Sequence, residues 1–293
     1  MGETLALASA VFFGATHFLS ALLARRVDST ALALHAQLGG TALVLAAAFL
    51  VPASSVGAAA LGWGALSGIG TGVGVTFLYR GVSTGRLSIV VPLSDVGAVV
   101  LPVLVGVVLL GERPSPTAWL GIAIAPPALW LVTRARRDRT EGGRTATGSA
   151  NGLIAGAGFA LQFIALARVD PAAGLWPLVA SRLAAVLTIV PLAVTAGAGL
   201  RMGGRFLLAA AGTGALGTLA IVLYTFATQQ QLLAIAVVLT ALYPVIPVVL
   251  GLTVLRERVT ASQATGLGLA AAAVATIALA GACPPTLVSA HAS

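Results

Sequence analysis

Residues 102–113, PVLVGVVLLGER, recur 145 positions later as residues 247–258, PVVLGLTVLRER. Each stretch runs apolar from a proline through a glycine and stops at Glu-Arg: Glu112-Arg113 in the first, Glu257-Arg258 in the second. The whole chain holds only 8 acidic residues, so a repeated Glu-Arg carries more weight than any coincidence of Val and Leu. The same offset lays Tyr79 on Tyr224 and Gly121 on Gly266. An offset of 142 lays Gly14 on Gly156 and Arg26-Val27-Asp28 on Arg168-Val169-Asp170. The chain therefore reads as a duplication, with the same order of segments in each copy.

Those segments are apolar and long. A bilayer crossing takes about 20 apolar residues. Residues 4–24 make one span, and residues 29–79 make two, broken near Pro52, Ser54 and Ser55. Residues 87–111 are the fourth and residues 114–133 the fifth. After a hydrophilic stretch, residues 151–167 are the sixth and residues 174–197 the seventh. Residues 206–255 divide at Gln229, Gln230 and Gln231 into the eighth and ninth, and residues 261–282 are the tenth. Lipid offers no hydrogen bonds, so backbone groups must pair within each segment, which makes the segments helical.

Composition agrees. The 293 residues are 58% hydrophobic and 8% charged, with a mean hydropathy of +1.03. Soluble domains are about 25% charged; this chain has too little polar surface to face water. Its 35 glycines suit close helix packing in lipid. The expected fold is all-α and integral to the membrane, with ten transmembrane helices as two inverted five-helix repeats. The inversion follows from the odd number of spans per copy, which makes the second copy enter from the opposite face. The expected division is residues 1–133 as first repeat, residues 134–149 as basic linker, residues 150–283 as second repeat and residues 284–293 as a short tail.

Several function classes lose their footing here. The single cysteine, Cys283, rules out an intrachain disulfide and a cysteine metal cluster. The chain has no lysine, so a phosphate-binding Gly-Lys-Ser/Thr loop is impossible, and direct ATP use is not expected. No His-Glu-x-x-His spacing and no Gly-x-Ser-x-Gly elbow occurs, so no enzyme, cofactor or metal is expected. The arginines lie between apolar runs instead of along one face, which anchors helices and does not fit nucleic acid. No Arg precedes the first apolar run, so that run reads as a retained helix, not a signal peptide. The partners expected are a small-molecule substrate and the lipid bilayer, with the protein a monomer or homodimer.

Ten spans in two five-span repeats, with Pro102, Gly106, Glu112 and Arg113 matched by Pro247, Gly251, Glu257 and Arg258, resemble the drug/metabolite transporter superfamily, specifically its EamA-type branch. The resemblance covers nearly the whole chain. It implies a secondary transporter that exports or imports metabolites, amino acids or drugs. An arginine early in the second helix of each repeat is frequent in that family; Arg182 matches it, whereas Gln37 stands there in the first repeat. A flippase for lipid-linked groups is the alternative reading.

Charged and polar residues inside spans mark the candidate site, because a charge at the centre of a spanning helix costs roughly 2.5–3.5 kcal/mol on insertion scales. Arg182 would bind an anionic substrate group. Asp95 would bind a proton or a cationic group, or pair with Arg182. His17 would titrate and serve coupling, while His35, nearer a helix end, is a weaker candidate. Gln162 and Gln37 would face the cavity, and Tyr79, Tyr224 and Tyr243 would line it or sit in the aromatic belt. Pro92, Pro102, Pro244 and Pro247 would kink the fourth and ninth spans at matched places, each removing a backbone hydrogen bond. Glu112 and Glu257 read as interfacial salt bridges or caps.

Orientation follows from arginine counts. Loops after odd spans hold 13 of the 16 arginines, including Arg134, Arg136, Arg137, Arg139 and Arg144 of the linker. The rule that positive loops stay inside puts the linker in the cytoplasm of a multi-pass cell-membrane protein, with both termini outside. The resemblance implies termini inside, so both orientations stand at this point.

Overall fold

The repeated Arg-Val-Asp stretches turn out to be turns that cap the next element. Asp28 accepts hydrogen bonds from the backbone N–H groups of Thr30 and Ala31 at 2.8 and 3.0 Å, capping α2 (Ser29–Leu50). Asp170 accepts from Ala172 N–H at 2.9 Å and caps a short 3₁₀ turn, Pro171–Ala173. Such caps satisfy donors that a helix start leaves free. The structure, a computed structural model, describes residues 1–24, 26–84, 87–133, 145–195, 197, 199–254 and 260–282.

Around those caps the chain forms α1 (Gly2–Ala24), α2, α3 (Ala58–Thr84), α4 (Leu87–Leu104) and α5 (Pro116–Thr133) in the first half. The second half holds α6 (Thr145–Ala167), α7 (Trp176–Thr195), α8 (Gly204–Thr228), α9 (Leu233–Thr240), α10 (Val245–Thr253) and α11 (Ala261–Ala282). Four stretches are long and apolar enough by themselves to cross a membrane: Thr30–Leu50, Ala58–Leu78, Gly148–Ala167 and Gly204–Thr228. Of the other helices, α1 has 23 residues and α11 has 22, while α4 and α5 have 18 each.

Two departures from the expected spans have identifiable causes. The ninth span is two helices, because residues 241–244 turn between α9 and α10. Pro244 ends that turn; it has no N–H to donate and disfavours helix at the residue before it. The fourth span runs through Pro102 and then widens into a π-helical turn, Val105–Leu109, closed by Leu110 N–H donating to the Val105 carbonyl at 3.1 Å. The two irregularities differ in kind and in place: the matched prolines Pro102 and Pro247 both lie inside helices, and the break falls at Pro244. The side chain of Pro92 lies outside the described residues, as do Glu257, Cys283 and the tail. Residues 134–144 of the expected linker lie outside the described residues too, and α6 begins at Thr145.

The duplication is inverted in space. Repeat partners α2 and α7 meet at Gln37 and Arg182, and again at Phe49 and Trp176, whose ring centroids lie 5.2 Å apart. Numbering rises along one helix as it falls along the other. Repeat partners α5 and α11 do the same: Gly121 faces Ala273 and Ile277, while Ser262 Oγ donates to the Leu131 carbonyl at 3.3 Å. Counterpart helices therefore run antiparallel.

The halves interlock. Helix α3 packs on α6 and α7, and its counterpart α8 packs on α1 and α2. Small residues permit this closeness, as at helix contacts in lipid generally. A side chain built on Gly68 would collide with the Ser181 carbonyl of α7, and one on Gly214 with the Ala36 carbonyl of α2. Gly156 of α6 lies against the Ser94 carbonyl of α4, and Gly14 of α1 against the Tyr243 carbonyl in the broken span. Helix α9 is held inside this frame, with Leu233, Ala234, Val237, Val238, Leu239 and Thr240 all buried. Its first amides are capped from the other half: Glu112 Oε1 accepts from Leu233 N–H at 2.6 Å and Oε2 from Ala234 N–H at 3.0 Å. Of the two roles expected for Glu112, the structure gives it the cap.

Candidate substrate site

Polar side chains inside the bundle gather in two clusters. The first lies where the two halves meet. Arg182 Nη1 donates to Gln37 Oε1 at 2.6 Å. Arg182 is the seventh residue of α7 and Gln37 the ninth of α2. At a rise of about 1.5 Å per residue they start about 9 and 12 Å from opposite faces. Their side chains thus meet near the middle of a hydrocarbon layer about 30 Å thick. Next to Arg182, Ser181 Oγ lies 3.2 Å from Ser67 Oγ of α3. One turn further along α3, the Thr71 hydroxyl donates to Gln162 Oε1 of α6 at 2.6 Å.

The second cluster surrounds the break in the ninth span. Tyr243, in the turn between α9 and α10, donates its hydroxyl to Asp95 Oδ1 of α4 at 2.6 Å. The His17 ring of α1 stacks on Tyr243, centroids 4.5 Å apart. His17 Nδ1 lies 2.7 Å from the Phe13 carbonyl, so that nitrogen carries the hydrogen. Phe13 then touches Tyr243 at 6.1 Å and Phe163 of α6 at 6.4 Å, ring to ring. Phe163 is the neighbour of Gln162, so α6 joins the two clusters.

Both clusters leave charge uncompensated. Arg182 is 7% exposed and its Nη2 has no partner. Asp95 is 5% exposed and its Oδ2 has none either. The expected pairing of these two residues is not formed: each spends its recorded bond on a neutral group, Gln37 or Tyr243. A buried polar atom without a partner costs free energy, and a buried charge costs more. Unsatisfied donors and acceptors concentrated at the junction of two halves are the mark of a site that awaits a ligand or an ion.

Other candidates fall elsewhere. Tyr224 is fully buried, and its hydroxyl donates to the Phe163 carbonyl at 2.9 Å, which ties α8 to α6. The side chain of Tyr79 lies outside the described residues. His35 Nδ1 is spent on the Ala31 carbonyl at 2.8 Å within its own helix. Sequence reasoning passed over Ser67, Thr71 and Ser181. The signal was present: Gly64, Ser67, Gly68, Thr71 and Gly72 form an i, i+3, i+4 stripe of small and hydroxylic residues on α3, the pattern of a helix face turned inward.

The family model of EamA-like transporters matches residues 1–134. Residues 1–134 are thus similar to EamA-like transporters. The fold extends the likeness to the second half: a protein known from its crystal structure superposes with a TM-score of 0.74 over 94% of this chain and 96% of its own. At 19% identity that likeness concerns the fold alone. No curated protein matches. The helical bundle and its apolar helices agree with a multi-pass membrane protein.

Proposed function

We propose that the chain carries a small solute bearing an anionic group across the cell membrane by alternating access, with Arg182 holding the anion. The observation that carries this reading is Arg182 Nη2, a buried cationic donor without a partner at the junction of two inverted halves. Inverted-repeat transporters place their substrate between the halves near the midplane. A guanidinium suits carboxylate or phosphate because its donors form a rigid fork. Here one prong is steadied by Gln37 and the other is free. Ser67, Ser181, Thr71 and Gln162 supply the neutral hydrogen-bonding groups that would fix the solute's orientation. The arginine-rich loops support a cytoplasmic linker.

The test is a stability screen of purified protein in detergent against amino acids, organic acids, purines, cationic drugs and lipid headgroups. A solute that binds only the folded state adds about 2.7 kcal/mol at a hundredfold excess over Kd. An anionic solute that stabilises the native protein and not Arg182→Ala is the expected result. Stabilisation that survives Arg182→Ala removes the anchor from the argument, and stabilisation by cations alone overturns the substrate class.

A further inference from the structure

We infer that the Asp95 carboxyl is a proton-binding site, and that its occupancy sets the bond that ties the first half to the broken ninth span. The inference rests on the carrier reading for its use, not for its existence. Asp95 is buried in α4 with one oxygen bonded to Tyr243 and the other bonded to nothing. Among the described residues, the helices around it supply no compensating cation. Helices α5, α6 and α9 pack against α4, and the sequence of each contains no ionisable residue. Helix α3 also packs there and carries Tyr79 and Arg80; the Arg80 guanidinium lies over the Phe77 ring, 5.5 Å from its centroid. From the ninth span comes Tyr243, with His17 stacked behind it. A lone carboxylate in such a place takes up a cation or a proton.

The oxygens available decide for the proton. A hard metal cation collects about six oxygen ligands. Around Asp95 the Tyr243 hydroxyl has its hydrogen turned toward Oδ1, so it stands as donor, and the neighbouring Ser94 Oγ is the other unpartnered oxygen. One carboxyl oxygen and one hydroxyl make no cation cage. A proton needs only Oδ2.

The step balances simply. A hydronium ion on one aqueous face gives its proton to Oδ2, an O–H bond forms, and the side chain goes from charge −1 to neutral. On release the proton returns to water. Uptake turns a charge-assisted bond from Tyr243 into a neutral one, which is longer and about half as strong. Tyr243 belongs to the turn between α9 and α10, so the change is felt where the second half is already bent. The His17 ring, stacked on Tyr243, would feel the same change.

Infrared difference spectroscopy of the protein in lipid, titrated with pH and without any solute, reads this directly. The expected result is a carboxylic C=O band that grows as pH falls, is absent in Asp95→Asn and shifts to higher wavenumber in Tyr243→Phe. Tyr243→Phe keeps the carboxyl and loses only its donor, so it remains informative if Asp95→Asn does not fold. A band unchanged in Asp95→Asn, a band that ignores Tyr243→Phe, or no titrating band at all overturns the inference. Because no solute is used, that failure leaves the carrier reading standing. Failure of the carrier reading shows instead as no stabilisation in the solute screen with the band intact.

Discussion

Arg182 and Gln37 are counterparts in the duplication, 145 positions apart, and they touch each other. An inverted repeat has a two-fold axis between its halves, and any residue near the axis meets its own copy. Two arginines there, with no anion between them, would repel each other in a low dielectric. This is a physical reason for one copy to be neutral, and it accounts for the glutamine in the first half. Gln37→Leu is expected to lower stability by about 3–5 kcal/mol, the cost of orphaning a buried charge. Gln37→Arg should do at least as much damage by repulsion. The exchange Gln37→Arg with Arg182→Gln should recover most of the loss, since it restores the same pair across the axis. Thermal unfolding of the two single variants and the double variant, read as a cycle, checks all three. An exchange no better than Gln37→Arg alone would refute the axial arrangement.

At the scale of elements, the glycines of α3 and α8 decide how closely the halves approach. Gly68→Ala and Gly214→Ala each force a methyl group into a carbonyl of the opposite half and should cost about 1–3 kcal/mol. Gly62→Ala, on the same helix with nothing within 4 Å, should be neutral or stabilising by about 0.5–1 kcal/mol. Equal losses at Gly62 and Gly68 would mean that α3 does not pack as described. Much of this level was legible in the sequence. Gly14 and Gly156 align in the repeat, and both do the same thing, seating one half against the irregular span of the other. Glu112 was legible as a salt bridge or a cap, and the Arg-Val-Asp stretches only as a repeat. What could not be read was partner choice. Nothing in the sequence tells that Glu112 caps a helix more than a hundred residues on, or that Asp95 meets Tyr243 and not Arg182, because such pairings depend on how five-helix units interlock. Nor does a proline tell whether its span breaks, as at Pro244, or widens, as after Pro102; the surrounding packing chooses.

For the whole molecule, the expectation is one of sidedness. With ten spans, both termini share a face and the linker lies on the other. Reporters fused at residue 1 and after residue 282 should agree with each other and disagree with one inserted at residue 140. The arginine distribution, 13 of 16 on the linker's side, predicts that side to be the cytoplasm, and the same reporters check it. A split between the two terminal reporters would mean an odd number of crossings, and would undo the inversion.

The interlocking of α3 with α6 and α7 also has a consequence for biosynthesis. When the first five helices have left the ribosome, the face of α3 that holds Gly64, Gly68 and Gly72 has no occupant. Helices α1 and α2 still wait for α8. The Glu112 cap, by contrast, is already in the membrane when α9 emerges, so that short helix arrives late at a prepared place. The nascent first half is thus an open form, exposed to misassembly and to membrane proteases until synthesis is nearly finished. Truncated chains ending near residue 133 should be degraded, while co-produced halves should find each other and survive.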